Sequence, residues 1–299
     1  MGALQSRDNL PAHEYSWRAP ESLMNPKTYL ARRAFFSSAR QLRVPEWNDE
    51  QNRAAFGMDA LPHGHDYVLN VYYGGEIDPR DGMIVNLSDL KPVIAQATGP
   101  LDGKFLDREV EHFQHVRPTC ENLVNFLWEH LPTRMGAGVL ARVCLEENAR
   151  LRVQKIRLDE NRTQMKLTRS YEFAAAHRLH VPSMPDEDNS SLYGKCNNPH
   201  GHGHNYGLEV TIEGEPNAQT GAIISSGELD EIVDREVFER FDHKHLNEDC
   251  PEFETLVPTS ENLARVIFEI LQRKLDGNGR RLSKIGLHET QKNYFEVEA

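Results

Sequence analysis

"GHGHNYGLEVTIEG", residues 201–214, has a near-twin in "PHGHDYVLNVYYGG", residues 62–75, and the pair decides how the rest of the chain is read. The likeness runs outward on both sides. "FFSSARQLRVP" (35–45) parallels "EFAAAHRLHVP" (172–182), "LDGKFLD" (101–107) parallels "FDHKHLN" (241–247), and "VRPTCENLVNFLWEHL" (116–131) parallels "LVPTSENLARVIFEIL" (256–271). Near the end, "VCLEENARLRVQ" (143–154) parallels "IGLHETQKNYFEV" (285–297). Phe36 and Phe173 stand 137 positions apart, His63 and His202 139, Asp102 and Asp242 140, Thr119 and Thr259 140, and Glu147 and Glu289 142. So steady an offset means one domain written twice.

Each copy reads in the same order. A β-rich run leads through a polar loop to an alternating strand, "HDYVLNVYYGG" or "HNYGLEVTIEG", as in a long antiparallel pair. A helix follows over "VNLSDLKPVIAQAT" or "ISSGELDEIVDREVFERF", with apolar residues at helical spacing. A second helix opens at "PTCENL" or "PTSENL", where Thr precedes Glu in the first turn, and two short strands close the copy. The order ββααββ predicts an α+β domain whose antiparallel sheet carries two helices on one face. Its boundaries are a tail at 1–28, a first copy at 29–154, a linker at 155–165 and a second copy at 166–299. Four-strand sheets leave edges that invite closure with further copies, so a homo-oligomer is expected.

With 46 acidic against 34 basic residues and a net charge of −12, the chain lacks the basic surface that grips nucleic acid or anionic membrane. Cys120, Cys144, Cys196 and Cys250 are too scattered for a disulfide scaffold, which fits a reducing cytoplasm. No apolar run reaches the roughly 18 residues that a membrane span needs. The opening "MGALQS" matches the short pattern for acylation at Gly2.

The chemistry gathers in the second copy. His202 and His204 are two apart on a strand and so share a face, with Gly201 and Gly203 clearing space around them. Imidazoles so spaced suit zinc, whose catalytic sites take three protein ligands and leave one position open. His177 on the preceding strand is a third ligand, and His180 and His200 are rivals for that place. Cys196 lies six positions before His202, where a nearby dication would favour its thiolate as a base. Asp242 and His243 read as a carboxylate orienting an imidazole that poises Cys196. Glu289 reads as an anchor for the N–H edge of a pterin or guanine, helped by the helix start at Thr259, Ser260 and Glu261.

Taken together, "AAAHRL", "CNNPHGHGHNY", "DHKHLN", "PTSENL" and "HETQKN" resemble the 6-pyruvoyl-tetrahydropterin synthase family, which includes the 6-carboxy-tetrahydropterin synthases of queuosine synthesis. The resemblance implies two tandem tunnelling-fold domains, assembled into barrels with active sites between domains. It carries the zinc ligands to His177, His202 and His204, the catalytic cysteine to Cys196, the relay to Asp242 and His243, and the pterin anchor to Glu289. The implied reaction is a Zn2+-dependent loss of triphosphate from 7,8-dihydroneopterin triphosphate, giving 6-pyruvoyl-tetrahydropterin. Five residues separate Cys196 from His202, as in the pyruvoyl-forming members; the carboxy-forming members, which release acetaldehyde, have a gap of three. A non-catalytic pterin binder is the other alternative, although it would not need Cys196 or His243.

The first copy departs where that chemistry lies. Arg40 stands in the place of His177, Gly103 in the place of His243, and the loop before His63 has no cysteine. His63, His65, Asp102, Thr119, Glu121 and Glu147 remain. A fixed cation beside two imidazoles makes a poor zinc site, so this copy is expected to be catalytically dead. Glu147 leaves an expectation of pterin binding without turnover.

Overall fold

The computed structural model describes residues 28–299; positions 1–27, with Gly2, lie outside the described residues. The first copy contributes β1 (Thr28–Arg40), β2 (His63–Gly75), β3 (Gly138–Asn148) and β4 (Leu151–Arg157), and the second β5 (Thr163–His177), β6 (His202–Gly214), β7 (Arg280–Thr290) and β8 (Asn293–Glu298). These eight run in the order β8-β7-β6-β5-β4-β3-β2-β1, so both copies share one antiparallel sheet. Short strands at Lys104–Phe105, Arg134–Met135 and Lys244–His245 pair at its margins.

Strand alternation builds the core. Tyr67, Leu69, Val71 and Tyr73 of β2 are fully buried, as are Tyr206, Leu208, Val210 and Ile212 of β6, at the 139-residue offset seen in the sequence. Helices α2 (Leu87–Thr98) and α3 (Cys120–His130) cover that face in the first copy, and α5 (Ser226–Val233) and α6 (Ser260–Leu275) in the second. Thr119 and Thr259 cap α3 and α6, each accepting from the amide three residues on at 3.3 Å. A fully buried leucine is worth about 1.5–3 kcal/mol. Leu263, Ile267 and Leu271 therefore hold α6 far more strongly than its helix propensity does.

The loops read as merely polar contain helices of their own, α1 (Asp49–Phe56) and α4 (Asp186–Tyr193). A capping box of Asn48 and Gln51 starts α1, and it was visible as Asn-x-x-Gln. Buried Asn52 and Asn189 pin the two loops alike, accepting from Val44 N at 2.7 Å and Val181 N at 2.8 Å.

Residues 155–165, read as a linker, are the ends of two strands and the turn between them. β4 pairs with β5 from Leu151 opposite Arg169 to Arg157 opposite Thr163. Asp159 Oδ1 closes the turn by accepting from Asn161 N at 3.0 Å and Arg162 N at 2.8 Å. One core cluster therefore includes residues of both copies.

Candidate active site

His177 ends β5 and His202 opens β6, directly opposite each other in the register, with Ala175 opposite His204. Alternation sends all three imidazoles to the helix-covered face, with ring centroids 4.7 to 5.3 Å apart. One nitrogen from each lies within 4.8 Å of the others. His177 Nδ1 faces the Pro258 carbonyl at 2.8 Å and donates to it, which leaves the Nε2 lone pair directed at His202 Nε2, 3.4 Å away. Burial lowers the pKa of His177 and of His202 below the ordinary histidine value. Neutral rings with converging lone pairs fit a soft or borderline dication such as zinc. The two rivals are elsewhere: His180 Nδ1 contacts Asn197 Oδ1 at 3.1 Å, and His200 is exposed.

Glu289 lies beside this cluster, Oε1 being 3.9 Å from His204 Nε2. Ser260 Oγ donates to Oε1 at 2.6 Å and Asn293 Nδ2 to Oε2 at 3.0 Å. Burial opposes the carboxylate charge, but these two bonds and the nearby histidines outweigh it and hold the pKa below the usual value. Asn293 was not singled out in the sequence, although "HETQKN" contains it. Thr259 caps α6 next to Ser260, whereas Glu261 is exposed and its side chain makes no hydrogen bond among the described residues.

Cys196 sits in a single helical turn, Gly194–Asn197, tied to the end of β5 by Leu179 N donating to its carbonyl at 2.8 Å. Burial and the Glu289 charge push its thiol up. A bound dication would act in the opposite sense. Gly201 turns the chain into β6 at φ +70°, where a Cβ would stand 2.7 Å from His245 Nε2 and 2.8 Å from His177 O.

The expected relay is not assembled within the chain. Asp242 Oδ1 accepts from Ala174 N at 2.8 Å and lies 2.9 Å from His243 Nδ1. The His243 side chain is 82% exposed, beside a cleft of about 450 Å³ whose lining includes Ala174, Ala176, Gly203 and Asn205 and also reaches Ala175 and His204. Ala174, Ala176, Gly203 and Asn205 alternate along their strands with His177, His202 and His204, so their side chains face the other way. No hydrogen bond among the described residues joins Asp242 or His243 to Cys196. Adjacency in sequence paired the two residues with each other, while the sheet separated them from the thiol.

The first copy shows what the substitution at position 40 does. The Arg40 guanidinium is buried and donates to Glu147 Oε2 at 2.5 Å, Pro118 O at 2.9 Å and His63 Nε2 at 3.3 Å. These are the counterparts of Glu289, Pro258 and His202, so a fixed cation stands where the second copy's histidines could hold a metal ion. The remaining space is about 30 Å³, and the second copy closes it: Thr119 Oγ1 donates to Gly221 O at 2.6 Å and Glu121 Oε1 accepts from Ile223 N at 2.9 Å. Against the expectation of pterin binding at Glu147 stand the pairing of its carboxylate with Arg40 and, among the described residues, the small space left beside it.

Residues 29–165 and 166–299 each match the family described as 6-pyruvoyl tetrahydropterin synthase. The chain belongs to this family. It is 41% identical over 127 residues to 6-pyruvoyl tetrahydrobiopterin synthase of Poecilia reticulata, covering 42% of this chain and 85% of that protein. The Homo sapiens protein of the same name is 39% identical over 132 residues, 44% of this chain and 90% of its own length. A putative 6-carboxy-5,6,7,8-tetrahydropterin synthase of Archaeoglobus fulgidus is 33% identical over 96 residues, 32% of this chain and 74% of that one. The solved Caenorhabditis elegans 6-pyruvoyl tetrahydropterin synthase is 35% identical and covers 46% of this chain and 96% of its own, with a TM-score of 0.43. Among the described residues no helix is long and apolar enough to cross a membrane.

Proposed function

We propose that the second copy converts 7,8-dihydroneopterin triphosphate to 6-pyruvoyl-tetrahydropterin with release of triphosphate, a carbon–oxygen lyase reaction. The observation that carries this reading is the convergence of three imidazoles beside a carboxylate fixed by two hydrogen bonds. His177, His202 and His204 would hold zinc, which supplies Lewis-acid polarisation of the two side-chain oxygens of the substrate.

The chain's own groups divide the remaining work. Glu289 keeps a free lone pair on each oxygen and so accepts two parallel N–H bonds from the guanidine-like edge of the pterin. Ser260 fixes the carboxylate's rotation, and Thr259 holds the helix start that positions Ser260. Cys196, on a loop fastened to β5, takes the carbon-bound protons of the side chain and returns them as the hydroxyl carbons are rearranged to ketones. The carbon–oxygen bond to triphosphate breaks with its electron pair leaving on oxygen. Reduction of the ring balances oxidation of the side chain, so no external oxidant is needed. Four free thiols suit a reducing, cytoplasmic setting.

The five-residue gap between Cys196 and His202 favours the pyruvoyl product. Incubation with dihydroneopterin triphosphate, scored for pyruvoyl product and for acetaldehyde, tests this directly. Acetaldehyde would move the protein to the carboxy-forming branch, and tight pterin binding without either product would make it a binder.

A further inference from the structure

Glu147 and Glu289 occupy the same place in the two copies, and each is the extra residue of a β-bulge. The ladder between β3 and β4 slips between Glu146 and Asn148, and the one between β7 and β8 slips between His288 and Thr290. A bulge re-aims one side chain, and here it turns each carboxylate toward the histidines of its own copy. The frame beneath is shared as well: Phe36 stacks on Tyr67 with ring centroids 4.9 Å apart, and Phe173 on Tyr206 at 5.3 Å. What differs is the set of groups that holds the carboxylate.

In the second copy Ser260 Oγ donates to Glu289 Oε1 at 2.6 Å and Asn293 Nδ2 to Oε2 at 3.0 Å. The first copy has neither donor. Cys120 stands in the place of Ser260 and turns its thiol to Leu145 O, 3.8 Å away. Leu151 stands in the place of Asn293, paired with Asn148 as Asn293 is with Thr290. Without those donors Glu147 reaches further across. Its Oε2 meets Arg40 and its Oε1 lies 3.4 Å from His65 Nε2, whereas Glu289 Oε1 stays 3.9 Å from His204 Nε2.

That difference has a chemical meaning. Two donors on one tetrahedral zinc, with bonds of about 2.0 Å, lie about 3.3 Å apart. His177 and His202 match that spacing at 3.4 Å, and Glu289 falls outside it. A carboxylate that joined the three histidines would fill the fourth position, and a zinc with four protein ligands is of the closed, structural kind. It would also give up an oxygen that the pterin edge needs.

We propose that Ser260 and Asn293 are positioning residues that keep Glu289 off the metal, so that the fourth position stays open and both carboxylate oxygens face the substrate. A turn of the carboxylate toward the histidines moves both oxygens and strains both hydrogen bonds. The role rests on the zinc site and the pterin anchor of the function proposed above. The first copy, where both donors are missing and a cation has captured the carboxylate, is the internal counter-example.

Losing a partner that orients a metal site ordinarily weakens metal binding by about 10- to 100-fold. Here the sign should reverse. The full chain carrying Ser260→Ala and Asn293→Leu together should hold zinc roughly tenfold tighter than the parent in a chelator competition, with its circular dichroism unchanged. It should also fail to bind neopterin, followed by fluorescence, at concentrations that saturate the parent. Adding Glu289→Gln to that pair should return zinc affinity to the parent value, because an uncharged amide is a poor ligand for this ion. Each single substitution should move zinc affinity in the same direction by a smaller factor, and decides the matter if the pair does not fold. Zinc affinity unchanged or weakened, a gain that survives Glu289→Gln, or neopterin bound as in the parent would overturn the proposal. A parent chain that takes up no zinc would sink this role together with the site. A parent that holds zinc but neither binds nor turns over a pterin would instead count against the proposed function and leave the zinc comparison standing.

Discussion

At the scale of single residues, the contrast between position 40 and position 177 is the most informative. Both side chains reach a proline carbonyl before a helix, but one brings its own positive charge and the other a lone pair. Arg40→His should therefore raise zinc content from one to two per chain, as measured by metal analysis, without adding turnover because the loop before His63 has no cysteine. Without metal that variant leaves Glu147 buried and unpaired, a loss on the order of 3–5 kcal/mol, and added zinc should recover most of it in a denaturant titration. Cys196→Ala should lower kcat by about 10²- to 10⁴-fold while zinc content holds, a comparison of turnover against metal analysis. The shared face of His202 and His204 and their pairing with the strand of His177 could be read from spacing. The choice against His180 could not, because it depends on Asn197 bending back onto β5. Likewise the sequence showed that arginine spoils a metal site, but not that it would reach Glu147 and take the carboxylate out of use.

At the scale of elements, the repeat shows how small insertions are absorbed. The offset grows from 139 at His202 to 140 at Asp242, so the second copy has one extra residue across its first helix. The helix takes it up as a π turn at Asp234–Phe238, straight after α5. Strands and their order were legible because alternation and the repeat reinforced each other. Helices α1 and α4 were not, since short polar helices are held by buried asparagines rather than by an apolar stripe. The turn into β6 offers a test at this scale. Gly201→Ala puts a methyl group against His177 O and His245 and forces a left-handed residue, costing about 1–2 kcal/mol. The expected result is weaker zinc retention in a chelator competition, with little change in the first copy's cross-sheet packing.

For the whole molecule, the seam between the copies has a titrating group in it. Glu121 is buried there, accepting from Ile223 N, and burial pushes its pKa up to about 7. A carboxyl group raised in the folded state stabilises most below its unfolded value near 4.5 and loses that contribution as pH rises through about 7. Denaturant midpoints should fall between pH 5 and pH 8, by up to roughly 3 kcal/mol in stability. Glu121→Gln, which keeps an oxygen for Ile223 N, should flatten that profile. Two tandem domains were legible from the offset alone, but their fusion into one sheet was not, because a hairpin and a linker look alike when the turn residues are polar and charged.

That hairpin at residues 158–162 has a kinetic corollary. It keeps β4 and β5 at a high effective concentration whatever the amount of protein in solution, so the inner seam re-forms as a first-order event. Dilution would then leave every chain internally zipped.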